Sequence, residues 1–216
     1  MNIKDKKFWE NYWYYYKIHT FAGIFALVLI ITTLYQCATT VNPDFTALYI
    51  GSPPVMTDKI EAVQTALANA VGDLNKDGKK TAVLSNISAS LNAKSDMDMA
   101  GIQKADIEIM AGDAHLIFTN DEFLKRYVAM DAFADITEQA KKAGIDEALL
   151  IKDKDGKGYV AVDISSLPFA QKMGMTNAKV YMSLRVVQQD KKNDKAYMEQ
   201  HNKSAELFDK ILNGSF

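Results

Sequence analysis

Asp73-Leu74-Asn75-Lys76-Asp77-Gly78 places oxygen donors at alternate positions and a glycine at the sixth, which is the first half of a calcium-binding loop. The twelfth position is Leu84, where a bidentate carboxylate would close the coordination shell. Calcium on Asp73, Asn75 and Asp77 is therefore the one metal site the sequence suggests, and a plain helix-to-strand turn is the competing reading. Asp153-Lys154-Asp155-Gly156 is a shorter half-match and reads as a hairpin turn. The three histidines, His19, His115 and His201, are far apart in sequence, and none has a second ligand at zinc-site spacing. The pairs Met97 with Met99 and Met173 with Met175 are read as packing residues rather than copper ligands. No nucleophile elbow, phosphate-binding loop or dinucleotide-binding turn occurs, so the sequence offers no support for an enzyme.

A second set of polar residues is defined by where it falls. Gly51 and Ser52, Ser88 and Ser90, and Thr119 and Asn120 each follow a short apolar run that reads as a strand. Open α/β sheets gather ligands beyond the carboxyl ends of their parallel strands, close to helix N-termini. Ser52, Ser88, Ser90, Thr119 and Asn120 are accordingly the candidate ligand-binding residues. Small polar residues also serve as turns and helix caps, and that role competes with ligand binding at every one of them.

The elements that must position these residues begin beside a membrane. Ile18 to Cys37 is about the 20 mostly apolar residues that a helix needs to cross a bilayer, and no Asp, Glu, Lys or Arg lies between Ile18 and Pro43. Lys4, Lys6, Lys7 and Lys17 precede the span, whereas Asp44 is the first charge after it, so the N-terminus is expected in the cytoplasm. Phe8, Trp9, Tyr12, Trp13, Tyr14, Tyr15 and Tyr16 read as an aromatic belt at the headgroup layer. The long aromatic start and the poor Ala38-Thr39-Thr40 cleavage site favour an uncleaved anchor, and bulky Tyr35 and Gln36 argue against lipidation of Cys37. The expected organisation is a juxtamembrane segment over 1–17, a transmembrane helix over 18–37, a linker over 38–43 and one extracytoplasmic domain over 44–216.

That domain carries 21 basic against 25 acidic residues once the four N-terminal lysines, Asp5 and Glu10 are set aside, a balance that argues against nucleic acid as a partner. A single cysteine excludes an intramolecular disulfide. Phe45 to Ile50, Lys80 to Ser88 and Ala114 to Phe118 read as strands, each followed by a helix: one from a Thr57 cap, one over Met97 to Met110 and one from an Asn120 cap. Three such repeats predict parallel βαβ units. Ala148 to Lys152 and Gly158 to Ile164 predict a hairpin, Lys179 to Val187 a long strand, and Asp194 to Leu212 a final helix. The predicted class is α/β: an N-terminal transmembrane helix, then one three-layer domain with a mixed, mostly parallel sheet of five or six strands.

The stretch Ala105 to Thr119, with its Gly112-Asp113 turn, followed by Phe133-Ala134-Asp135-Ile136-Thr137, resembles bacterial extracytoplasmic solute-binding proteins of the two-lobed kind. The aromatic belt, single anchor and small α/β domain also look like single-span membrane proteins of low-GC Gram-positive bacteria. The resemblance covers Asp73 to Thr137 and implies the fold and an outer location, with ligand binding as a further implication. The chain departs from that family in length, because only one lobe's worth of residues is present. The expected function is a membrane-anchored binding or interaction module that meets a small molecule or an envelope protein. The alternative is an accessory subunit docked on another membrane complex.

Overall fold

The computed structural model describes residues 6–39, 42–92, 95–175 and 178–215, and the chain divides into two units, 1–42 and 43–216. The first unit is one helix, α1 (Lys6–Thr39), and its Tyr12–Gln36 stretch is long and apolar enough to cross a membrane. Such a helix must satisfy its hydroxyls internally. Thr32 and Thr33 do so by donating to the Leu29 carbonyl, at 3.0 and 2.8 Å, and Thr20 donates to the Tyr16 carbonyl at 3.0 Å. At its start Tyr12 stacks on Tyr16, with ring centroids 5.6 Å apart, and meets Trp9 and Trp13 edge-on.

The second unit is built on a six-stranded sheet. Its elements are β1 (Phe45–Gly51), α2 (Thr57–Val71), β2 (Ala82–Ser88), α3 (Asp96–Ala111), β3 (Leu116–Thr119), α4 (Asp121–Ala129), α5 (Thr137–Ala143), β4 (Leu150–Lys152), β5 (Tyr159–Asp163), α6 (Pro168–Lys172), β6 (Tyr181–Leu184) and α7 (Lys195–Leu212). The strand order is β2-β1-β3-β6-β5-β4. The first three strands are parallel, and β6, β5 and β4 join antiparallel.

Side chains alternate across a strand, and β1 uses both faces. Phe45, Ala47 and Tyr49 pack with Val63 and Leu67 of α2, Phe169 of α6, and Leu207, Phe208 and Ile211 of α7. Leu48 and Ile50 pack on the other side with Ala105 and Ile109 of α3 and Phe123, Leu124 and Tyr127 of α4. The result is helix, sheet and helix in three layers, the α/β class expected from the alternating pattern.

Several boundaries differ from the sequence reading for physical reasons. Thr57 is the first residue of α2 rather than its cap; Met56 holds the cap position without a side-chain bond. The last strand is Tyr181–Leu184, and beyond it the chain keeps only an isolated antiparallel bridge between Arg185 and Phe133, with the Arg185 N–H donating to the His115 carbonyl at 2.8 Å. The Arg185 side chain is fully buried and closes the end of α3, with Nε donating to the Ala114 carbonyl and Nη1 to the Ile109 carbonyl, each at 2.8 Å, and Nη2 to the Glu108 carbonyl. The carbonyls at a helix C-terminus lack partners within the helix, and a cation there also opposes the helix dipole. The short helices α5 and α6 carry no long apolar period and were not anticipated.

Candidate functional site

The register pairs Gly51 with Ser88 and Ile50 with Thr119, so the three parallel strands end side by side. Thr119 also pairs with Tyr181, which brings the start of β6 to the same end. There the chain leaves an open cleft of about 660 Å³ lined by Ser52, Ser90, Asn92, Asn120, Asp121, Glu122, Ala178 and Lys179.

Its walls are fixed by local chemistry. Asn120 caps α4, its Oδ1 accepting from the Phe123 N–H at 3.2 Å, while its Nδ2 donates to the Ser52 carbonyl at 3.4 Å and to Glu122 at 3.3 Å. The other Glu122 oxygen accepts from the Leu91 N–H at 3.1 Å and the Asn92 amide at 3.3 Å. One carboxylate thus fastens the loop after β2 to the start of α4. Tyr49 holds the loop after β1 by donating to the Pro53 carbonyl at 2.8 Å. Asp121 pairs with Lys125 at 2.6 Å and accepts a longer bond from the Tyr181 hydroxyl at 3.4 Å. Burial, aided by the charges of Asp121 and Asp163, pushes the Tyr181 hydroxyl up to about 12, so it remains a donor.

Three of the five predicted ligand residues, Ser52, Ser90 and Asn120, meet in this cleft. Ser88 is exposed outside it; its carbonyl lies against α3, 2.7 Å from where a Cβ on Gly101 would sit. Thr119 is completely buried in β3, and its hydroxyl has no hydrogen-bond partner. Sequence reasoning missed Asn92, Asp121, Glu122 and Lys179. The two acids at the first positions after the Asn120 cap were a readable signal. Lys179 reaches the cleft only through the antiparallel return of β6, which spacing along the chain does not reveal.

The calcium-like residues lie at the opposite end of the sheet, between α2 and β2. Asp73 accepts from the Asp77 and Gly78 N–H groups, Asn75 from Asp77, and Asp77 from Lys79. Leu84, the twelfth position, is buried in β2. Buried Asp44 anchors the same loop, accepting from the N–H groups of Leu74, Asn75 and Thr81 at 2.8 to 2.9 Å. No cluster of three or more His, Cys, Asp or Glu able to hold a metal occurs among the described residues.

The fold also joins two histidines that the sequence keeps apart. His115, next to β3, and His201, on α7, have ring centroids 5.3 Å apart, and Tyr197 stands edge-on to His115 at 4.4 Å. Neither His115 nitrogen has a partner, nor does His201 Nδ1. Burial, then the charges of His201, Arg185 and Lys191, pushes His115 down to about 3. Burial also lowers His201. Both imidazoles are therefore neutral, and the adjoining cations disfavour a metal ion between them.

Comparison of the chain with family models, with curated proteins and with solved structures finds no significant match in any of the three.

Proposed function

We propose that this chain is a single-span membrane protein, N-terminus inside, whose outer α/β domain binds a small polar ligand at the carboxyl ends of β1, β2 and β3. The observation that carries this reading is the cleft itself, where polar side chains from four separate stretches converge and are held by Glu122 and Asn120. Its volume lies in the range of small-molecule sites. Its two carboxylates are occupied by protein donors, which suits recognition better than acid-base chemistry. The likeness to one lobe of a solute-binding protein agrees with such a role. The lysines before the span and their absence just after it support the orientation.

Thermal unfolding of the full chain in detergent, followed by circular dichroism, tests the reading against calcium, sugars, amino acids and peptides. A ligand that binds only the native state raises the midpoint with dose. A flat response to the whole panel sinks the proposal. Protease added outside intact cells tests the orientation, and survival of the domain would reverse it.

The accessory-subunit alternative draws on α3. Met99, Ile107 and Met110 are 54 to 66 % exposed and, with exposed Gln103, form one stripe opposite the buried Ala105 and Ile109. Apolar stripes of this kind mark docking faces. Crosslinking in membranes from Gln103→Cys that returns only the uncombined chain would remove this alternative.

A further inference from the structure

Taking the cleft as a ligand site, its charges also indicate what the ligand carries. Glu122 accepts from three N–H donors, and Asp121 is paired with Lys125. Lys179 is exposed on the opposite wall and makes no hydrogen bond or ion pair among the described residues. The Ser52 hydroxyl is likewise uncommitted, and the Ser90 oxygen accepts a long 3.4 Å bond from the Asn92 N–H, which leaves its own proton free to donate. Lys125 offsets Asp121, and Glu122 is held by neutral N–H donors. The groups free to act on a ligand are thus one ammonium and two hydroxyl donors.

We propose that the cleft takes a small monocarboxylate, with Lys179, Ser52 and Ser90 donating to its oxygens. One ammonium balances one negative charge. A dianion such as phosphate would bring a second charge towards Asp121 and Glu122, and a cation would meet the Lys179 ammonium and find Asp121 already paired with Lys125. This inference rests on the binding reading and is separable from it.

The test measures the thermal midpoint of the full chain in detergent, at constant ionic strength. The compounds are acetate, lactate and pyruvate, set against acetamide, glycerol, glucose, ethanolamine and inorganic phosphate. Carboxylates should raise the midpoint, and Lys179→Gln and Ser52→Ala should each weaken the response at least tenfold while melting normally without ligand. Ser88→Ala, outside the cleft, should respond as the native chain does. A carboxylate response that survives both Lys179→Gln and Ser52→Ala overturns the assignment and leaves the cleft's role standing. So does a response confined to the uncharged, cationic or phosphate compounds. No response to any compound overturns both.

Discussion

Gly51 and Asn120 approach so closely that a Cβ built on Gly51 would sit 3.0 Å from the Cβ of Asn120 and 2.9 Å from the Tyr49 hydroxyl. The glycine ends β1 where the helix cap of α4 crosses it, so the cleft's geometry depends on a missing side chain.

Gly51→Ala should therefore destabilise the domain by about 1–3 kcal/mol through overpacking. The displaced Asn120 should also weaken any ligand response. Urea denaturation of the variant beside the native chain measures the first effect, and a native-like midpoint would show that Asn120 yields without strain.

Arg185→Ala would remove the donors that close α3 and leave the buried carbonyls of Ala114 and Ile109 without them, while the Glu108 carbonyl keeps its bond from the Gly112 N–H. A loss of about 3 kcal/mol or more is expected. Arg185→Lys should restore little, because a single ammonium does not reproduce the planar guanidinium fork. Denaturant midpoints for both variants decide the matter.

The histidine pair sets an acid limit. The folded pKa of His115 lies well below the ordinary 6.5, so between pH 6.5 and about 3 the unfolded chain binds the proton that the folded chain refuses. This contribution is fully present above pH 6.5 and is lost as pH falls through that window, by about 1.4 kcal/mol per pH unit for one such group. His201, shifted in the same direction, adds to the slope. Melting temperature against pH should drop across this range, and His115→Phe should flatten the curve.

Asp44 acts lower on the scale. Burial would raise its pKa, but hydrogen bonds from Asn75, Thr81 and Leu74 outweigh it and hold the carboxyl below its ordinary 3.8. Its stabilisation is present above that value and disappears as pH falls through the lowered pKa. Asp44→Ala should cost about 2–3 kcal/mol at neutral pH. A loss below 0.5 kcal/mol in equilibrium unfolding would show that the loop finds other partners.

Calcium at millimolar concentration should leave the melting temperature unchanged, because Leu84 is buried where a closing carboxylate would be needed. A rise that chelator reverses would place the ion on Asp73, Asn75 and Asp77 after all.

What the sequence showed and what it hid divide along the sheet. The parallel half was readable because each strand is a short apolar run stopped by Gly51, Ser88 or Asn120, signals that act over a few neighbouring residues. The Asn120 cap and the hairpin at Gly156 were readable for the same reason. Lys179 and the pairing of His115 with His201 were hidden, because each depends on where a distant segment returns. The role of the Arg185 side chain was hidden too: alternation marks which side a residue faces and is silent on the carbonyls that hold it.

Glu122 ties Leu91, Asn92 and Asn120 within the domain itself. The loops it joins lose their freedom when the domain folds, so little ordering is left for the moment of encounter. If the proposed binding role holds, association should then be quick and nearly free of slow rearrangement. Glu122→Gln should instead impose a larger entropic cost on binding and a slower approach to equilibrium.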